Sequence, residues 1–232
     1  MDKSYIINNY NELCADISAT LKQHNRSFDE ITLVAVSKTF PSDDVHTLYK
    51  EGHKIFGENK VQEMVKKHEE LLDDDIQWNL IGHLQTNKVK YITAFVNMIQ
   101  SVDSEKLAIE IDKYAAKDKR LIDVLVQVNT SREEQKSGIS PEDAPVLFSK
   151  INEMENIRLS GLMTIGMLTD DEDIIREDFR ILKRLFDEYK TVYSDFRYLS
   201  MGMTSDYRIA LEEGSNMLRI GSAIFGKRNY NH

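Results

Sequence analysis

The chain has 232 residues, of which 41% are hydrophobic and 30% are charged, a balance that is typical of soluble globular proteins. Its net charge of -9 leaves no basic excess to displace counterions from phosphates, which disfavours non-specific binding of nucleic acid. Cys14 is the one cysteine, so no intrachain disulfide can form, and a reducing, cytoplasmic compartment is expected. No apolar stretch is long enough for a secretory signal or a membrane span.

Short apolar runs alternate with amphipathic stretches along the chain. A first helix is predicted at roughly 4–24, ahead of any strand. Eight strands are then predicted, at residues 31–38, 53–59, 76–85, 95–104, 121–129, 157–166, 196–203 and 216–222. Several of these runs are rich in Val, Ile and Leu without strict alternation, which is typical of strands that are buried on both faces.

Three of the intervening helices have clear start signals or a clear apolar period. The helix 104–118 begins with Ser104, whose hydroxyl is a good N-cap. A second helix is predicted to begin with Ser140 as its N-cap and Pro141 at its first helical position. Residues 171–192 place apolar side chains at three- and four-residue spacing, which predicts an amphipathic helix.

Strand and helix alternate about eight times, an order that requires right-handed crossovers and a parallel sheet. Eight such units favour a single (β/α)8 TIM barrel, an α/β fold whose sheet closes on itself. We therefore predict one domain over residues 1–232, with the first helix as an extra N-terminal element. A doubly wound open sheet is the structural alternative.

The first predicted strand, ITLVAVSK, ends in a lysine, Lys38, shortly before Pro41. In a barrel the functional groups gather at the carboxyl ends of the strands, where this lysine is expected to lie. A lysine in a dry pocket has a lowered pKa and can form a Schiff base with a carbonyl compound. Aldolases use such a lysine on a ketone or aldehyde substrate, and pyridoxal phosphate proteins use it on the cofactor aldehyde. A structural or surface lysine is the remaining interpretation.

Other predicted strands also end in residues suited to binding, namely Asn59, His83, Met163, Ser200 and Arg219. After the eighth strand, Gly221 and Ser222 precede a short helix, and Thr204 follows the seventh strand. Barrels often bind phosphate in these two loops, where backbone N–H groups and hydroxyls meet the anion. The six histidines show no metal-ligand spacing, so no metal site is predicted.

Seven segments share their sequence and their order with one known family. They are LVAVSKTFP, IFGENKVQE, WNLIGHLQTNK, SVDS, QVNTSREEQKSG, GLMTIG and LSMGMTSDYRIALEEGSNMLRIGSAIFG. Together they resemble the YggS/PROSC family of pyridoxal 5′-phosphate (PLP)-binding proteins, also called pyridoxal phosphate homeostasis proteins. The resemblance extends from about residue 30 to residue 226, which is nearly the whole chain.

The resemblance implies the barrel of fold-type III PLP enzymes, the alanine racemase type, with Lys38 holding the cofactor as a Schiff base. It implies that Arg219 faces the pyridine nitrogen. The residues implied around the phosphate are Ser200, Thr204, Gly221 and Ser222, and those implied elsewhere near the cofactor are Asn59, His83 and Met163. Phe40, Lys60 and Asn79 stand where the family commonly has other residues. We expect these departures to affect only the rim and partner surfaces.

The expected function is that of a carrier. Racemization at this cofactor needs acid–base groups on both faces of the substrate carbon. In alanine racemases one of these groups comes from a second, β-rich domain, whereas the predicted barrel uses the whole length of this chain. An arginine at the pyridine nitrogen would also leave the ring a weak electron sink.

We therefore expect a monomeric protein that binds PLP, limits the free aldehyde and influences the supply of the cofactor to other enzymes, with PLP-dependent apo-enzymes as the candidate partners and with direct delivery and simple release both left open. The first alternative is a weak racemase-like enzyme that combines Lys38 with a second base, such as His83 or a tyrosine. The second alternative is a Schiff-base aldolase that holds no cofactor.

Overall fold

The computed structural model describes residues 3–72, 74–131, 133 and 137–226. Eight strands form one closed parallel barrel, in which each strand pairs with the next and the last pairs with the first. They are β1 Thr32–Val36, β2 Ile55–Glu58, β3 Gln77–Leu80, β4 Met98–Val102, β5 Ile122–Gln127, β6 Ile157–Met163, β7 Tyr198–Ser200 and β8 Met217–Ile220. The predicted TIM barrel is confirmed, and the open doubly wound sheet is wrong.

Helices connect the strands and cover the outside of the barrel. They are α1 Ser4–Gln23, α2 Ser42–Lys50, α3 Val61–Glu70, α4 Glu105–Lys117, α5 Ala144–Asn152, α6 Glu172–Tyr189, α7 Tyr207–Glu212 and α8 Ser222–Phe225. Two short 3-10 helices, Phe28–Glu30 and Thr86–Tyr91, complete the described helical elements. Residues 132 and 134–136 of the segment QVNTSREEQKSG lie outside the described residues. None of the described helices combines the length and the apolar character that a membrane crossing requires.

One apolar layer crosses the interior of the barrel. It consists of side chains from five strands that pack together, namely Val34, Met98, Leu125, Met163 and Met217. The opposite faces of the strands carry further apolar side chains, which pack against the helices. Because side chains alternate along a strand, Arg219 follows Met217 on the inward face of β8, one level nearer the carboxyl end. Polar groups therefore begin directly beyond the apolar layer.

The helix starts follow the sequence signals at Ser104 but not at Ser140. The Ser104 hydroxyl accepts a backbone hydrogen bond at 3.4 Å and caps α4. The Ser140 hydroxyl accepts from Asp143 N at 3.0 Å, which closes a turn ahead of α5. Since that helix begins at Ala144, the prediction of Ser140 as its N-cap with Pro141 at the first helical position is wrong.

The extra helix α1 packs outside the barrel against α7 and α8. Asp16 accepts hydrogen bonds from Tyr207 Oη at 2.5 Å and from the Arg208 guanidinium at 2.8 and 2.9 Å. Asn9 Nδ2 donates to Ile224 O at 3.1 Å. These bonds tie the N-terminal helix to the elements that follow β7 and β8.

Candidate functional site

A cavity of about 430 Å³ opens at the carboxyl end of the barrel. Residues in or directly after six of the eight strands line it, namely Val36, Lys38, Asn59, Ile81, Gly82, Ile165, Met203, Thr204, Ser205, Arg219, Gly221 and Ser222. Depressions of about 610 and 640 Å³ on the outer surface are larger but more open to solvent. Because side chains from many strands converge in it, this mouth cavity is the candidate binding site.

Lys38 reaches the mouth cavity because side chains alternate at the end of β1. Val34 and Val36 point inward, as Lys38 does, whereas Ser37 points outward and donates a hydrogen bond to Glu58 Oε1 at 2.6 Å. Lys38 is half-buried and lies in the turn that follows the strand. A carbonyl compound that entered the cavity would meet its amine, which is a nucleophile in the neutral form.

The turn that carries Lys38 has an unusual backbone. Thr39 adopts a φ of 73°, a left-handed conformation that is unfavourable for a β-branched residue. Its N–H donates to Glu63 Oε1 at 2.5 Å, and Phe40 N donates to Ser37 O at 3.0 Å. A conformation of this kind costs on the order of 1–3 kcal/mol, so the surrounding contacts must hold it in place.

Behind this turn lies a group of three charged side chains, Glu58, Glu63 and Lys67, which we call the β2–α3 ion cluster. Lys67 Nζ donates to Glu58 Oε1 at 2.6 Å, to Glu63 Oε1 at 2.9 Å and to Ser37 O at 2.8 Å. Burial raises the pKa of Glu58 to about 7, although its bonds with Lys67 and Ser37 favour the charged form. The cluster lies outside the barrel wall, on the far side of β1 and β2 from the cavity.

Arg219 lies on β8 and is only 3% exposed. Its Nη1 donates to Ser200 Oγ and its Nη2 donates to Thr164 O, each at 2.7 Å. Burial lowers the pKa of Arg219 to about 10, and the negative charge of nearby Asp206 offsets part of this effect. The guanidinium therefore remains charged at neutral pH, while no carboxylate of the described residues forms an ion pair with it.

Ser200 links Arg219 to a chain of amides that crosses the barrel interior. Besides accepting from Arg219, its hydroxyl donates to Gln100 Oε1 at 2.7 Å, and Gln100 Nε2 donates to Asn79 Oδ1 at 3.0 Å. Asn79 is 3% exposed and lies inside the barrel. The expectation that the departure at position 79 affects only the rim is therefore wrong, since hydrogen bonds connect this residue to Arg219.

The loops after β7 and β8 form another wall of the mouth cavity. Thr204, Ser205, Gly221 and Ser222 line it, and α8 begins at Ser222. Thr204 Oγ1 accepts a hydrogen bond from Ala223 N at 3.4 Å, which joins the two loops. No acidic side chain is among the described residues that line the cavity, so its hydroxyls and its two cationic side chains suit an anionic ligand.

Asn59 follows β2 and presents an acceptor without a partner. Its Oδ1 is buried, and within the described ranges no hydrogen-bond donor contacts it. The backbone just after β3 lies directly against it, because a Cβ added to Gly82 would come within 2.3 Å of Asn59 O. A buried polar atom without a partner is costly, and a ligand that supplies a donor would relieve that cost.

Six of the nine predicted cofactor residues meet in the mouth cavity, namely Lys38, Asn59, Thr204, Arg219, Gly221 and Ser222. Three do not line it. His83 is 57% exposed at its side chain, with Nδ1 at 3.7 Å from Asp103 Oδ2. Met163 is buried in the apolar layer, and Ser200 is buried against Arg219.

The β2–α3 ion cluster was not predicted from the sequence, although one signal for it exists. Lys67 shares a helix face with Val61 and Met64, both buried, and a lysine on an apolar face calls for a buried partner. Glu58 is that partner, because strand alternation turns it away from the cavity that Asn59 faces. Among the described residues, no group of three or more His, Cys, Asp or Glu side chains has an arrangement that could hold a metal ion.

Comparison with known proteins identifies the family of this chain. Residues 15–229 match the family described as alanine racemase, N-terminal domain. The chain is 44% identical over 199 residues to the pyridoxal phosphate homeostasis protein of Aquifex aeolicus (strain VF5), covering 85% of this chain and 87% of that relative. It is 38% identical over 229 residues to the protein of the same name from Haemophilus influenzae, covering 97% of each.

Solved structures give the same result. PipY of Synechococcus elongatus PCC7942 with PLP bound is 31% identical, with a TM-score of 0.79, and the match covers 90% of this chain and 100% of that one. Alanine racemase from Clostridium difficile 630 shares the fold at 17% identity and a TM-score of 0.75, over 99% of this chain but 57% of its own. The resemblance to the YggS/PROSC family is thus confirmed, and the chain belongs to the family of pyridoxal phosphate homeostasis proteins.

Proposed function

We propose that this protein binds PLP in the mouth cavity and takes part in the intracellular homeostasis of this cofactor. The observation that carries the proposal is the meeting of Lys38 and Arg219 in one cavity with the hydroxyl-bearing loops after β7 and β8. Lys38 holds PLP as a Schiff base. The neutral amine adds to the aldehyde carbon, one water molecule leaves, and a C=N double bond remains.

Three features of the cavity fit a phosphorylated pyridine aldehyde. Thr204 and Ser222 offer hydroxyls to the phosphate, beside the start of α8. Asn59 Oδ1 offers an acceptor without a partner in the described structure. Arg219 stays charged at neutral pH, so the ring atom that it meets must accept a hydrogen bond. The family resemblance implies that this atom is the pyridine nitrogen, which must then be unprotonated.

The same features favour a carrier over a racemase. An unprotonated pyridine nitrogen makes the ring a weaker electron sink, which slows every step that needs a carbanion. Among the described residues that line the cavity, Lys38 and Arg219 are the ones that carry ionisable side chains. A second base for racemization is therefore not at hand, since the side chain of His83 lies outside the cavity and is largely exposed.

A carrier also needs a surface where the cofactor can pass to another protein. Ile165 at the cavity and Leu168 beyond it are exposed, at 38% and 95%, so the rim of the mouth offers apolar contacts. We propose that PLP-dependent apo-enzymes receive the cofactor here, and that the protein acts as a cytoplasmic monomer. Residues 1–232 form one PLP-binding domain in this proposal, with α1 as the extra element that packs on the barrel.

Titration of the apoprotein with PLP tests the binding proposal. Wild type is expected to turn yellow with a Schiff-base absorption band, and Lys38→Ala is expected not to. Lys60→Ala is the matched control, because Lys60 is an exposed lysine directly after the neighbouring strand β2. A band that persists in Lys38→Ala but disappears in Lys60→Ala would overturn the assignment of the amine.

Two further measurements separate the alternatives. Loss of an α-deuterium from an added amino acid, at enzyme-like turnover, would favour the racemase-like enzyme over the carrier. A colourless protein that is trapped by borohydride only when a ketone or aldehyde substrate is added would favour the aldolase. The carrier proposal expects neither result.

A further inference from the structure

The residues on both sides of Lys38 are held by the β2–α3 ion cluster. On one side, Ser37 O accepts a hydrogen bond from Lys67 Nζ at 2.8 Å. On the other side, Thr39 N donates to Glu63 Oε1 at 2.5 Å. Two side chains of α3 therefore fix the backbone directly before and directly after the cavity lysine.

The cluster lies inside the wall of the protein, where Glu58 Oε1 and the Lys67 ammonium are bonded, while Glu58 Oε2 has no hydrogen-bond partner in the described part of the chain. Lys67 and Glu58 have side chains that are 4% and 0% exposed, and Glu63 is 23% exposed. The three N–H donors of Lys67 match its three acceptors, Glu58 Oε1, Glu63 Oε1 and Ser37 O. Each contact is shorter than 3.0 Å, so the ammonium has a defined position.

Stability alone does not account for such a cluster. Taking charges out of water costs free energy, and well-packed apolar residues of similar size are often as stabilising as a buried ion pair. The cluster also supports a backbone conformation that is unfavourable by itself, since Thr39 has a φ of 73°. What the charges provide is a fixed geometry at one particular turn.

We propose that Lys67, Glu63 and Glu58 are positioning residues for Lys38, which hold its turn so that the amine points at the aldehyde of a bound ligand. The inference rests on the proposed PLP-binding function of the mouth cavity. Without the β2–α3 ion cluster, the turn relaxes toward a right-handed backbone at Thr39. The amine of Lys38 then no longer meets the aldehyde carbon at bonding distance.

The first test uses Glu63, which is partly exposed and can be replaced without opening the core. Glu63→Ala removes the acceptor for Thr39 N and is expected to weaken the capture of PLP about tenfold. Glu63→Gln keeps an acceptor oxygen and is expected to restore most of the affinity. Glu69→Ala, on the exposed face of the same helix, is the matched control and is expected to bind as wild type does.

The second ligand in this test is pyridoxine 5′-phosphate, which has an alcohol where PLP has the aldehyde. It fills the cavity through its phosphate and ring but cannot form the bond to Lys38. Glu63→Ala is expected to bind it within about twofold of wild type, because only the covalent capture depends on the turn. Equal losses for both ligands, or no loss for either, would overturn the positioning role.

A double variant separates geometry from stability. Glu58→Leu with Lys67→Met replaces the buried charges by apolar side chains, which is expected to leave the thermal stability close to that of wild type. Capture of PLP is nevertheless expected to fall, by about tenfold or more. A stable double variant with wild-type capture would contradict the inference. Wild type that captures no PLP would instead contradict the binding function on which it rests.

Discussion

The two ends of the barrel use buried and half-buried polar side chains in different ways. At the amino-terminal end, Arg26 and Arg120 each donate two hydrogen bonds to backbone carbonyls, at 2.8–2.9 Å. His53 is bonded through both ring nitrogens, to Tyr10 Oη and to Ile55 O. These groups stabilise the loops that lead into the strands, because they form hydrogen bonds with other parts of the same chain.

At the carboxyl end the polar groups keep capacity for a ligand. Asn59 Oδ1 has no donor in the described part of the chain, and Arg219 meets no carboxylate there. The difference indicates which polar residues serve stability and which serve binding. Changes at the amino-terminal end should alter unfolding and spare PLP, whereas changes at the cavity should alter binding.

The largest expected effect is a loss of stability at low pH, caused by protonation of His53 at the amino-terminal end. Burial lowers the pKa of His53 to about 4, while the unfolded chain binds a proton near the usual value of 6.5. The stability due to the neutral ring is therefore complete above pH 6.5 and is lost as the pH falls toward 4, an effect of about 3 kcal/mol. Denaturant unfolding of wild type and His53→Gln across this range should show their difference shrink by that amount. Parallel curves would contradict the assignment.

The opposite end is tested by Arg219→Met. This change removes the charged donor that faces the cavity, and we expect the affinity for PLP to fall about 100-fold. Pyridoxine 5′-phosphate should lose affinity to a similar degree, because Arg219 acts on the ring and not on the aldehyde. Fluorescence titration measures both. Unchanged affinity for both ligands would show that the guanidinium belongs with the structural arginines.

Arg120→Met is the matched change at the amino-terminal end. The variant loses hydrogen bonds to Thr93 O and Val96 O, so the free energy of unfolding should fall by about 2 kcal/mol. Binding of PLP by the folded variant should stay within twofold of wild type. A large loss of affinity for PLP at unchanged stability would contradict the claim that the polar residues at the amino-terminal end serve stability and not binding.

The smallest effect is expected at α1. Asp16 has its pKa lowered by hydrogen bonds from Arg208 and Tyr207, so the carboxylate contributes stability that is lost as the pH falls through that lowered pKa. Because the pair is partly exposed, Asp16→Asn should cost only about 1 kcal/mol at neutral pH. Thermal unfolding measures this cost, and an unchanged midpoint would show that the contacts of Asp16 do not stabilise the packing of α1.

Much of the barrel could be predicted from the sequence because each strand is a compact apolar run. All eight strands lie within the predicted ranges. The amphipathic pattern of 171–192 correctly predicted α6, Glu172–Tyr189. The start of α5 could not be predicted in the same way, since the Ser140 hydroxyl suits a turn as well as a helix cap. A serine of this kind is compatible with either a turn or a helix N-cap, and tertiary packing decides which of the two forms.

The site was only partly predictable, for a different reason. Lys38 and Arg219 stand out because a cation at the end of an apolar strand needs an explanation. Lys67 lies on α3, and its role depends on Glu58. Parallel pairing of β1 with β2 brings Glu58 beside Ser37, a contact that the sequence does not reveal because the two residues are far apart along the chain. Asn79 was assigned to the rim, because nothing in its neighbourhood in sequence reveals the chain of amides inside the barrel.

The central claim is that Lys38 is the amine that captures PLP in the mouth cavity. Its most direct test is borohydride reduction of the PLP-loaded protein, followed by peptide mapping by mass spectrometry. The account predicts that one phosphopyridoxyl group is attached to Lys38 and that the same treatment leaves Lys60 and Lys67 unmodified. Labelling spread over exposed lysines, with Lys38 unmodified, would contradict it.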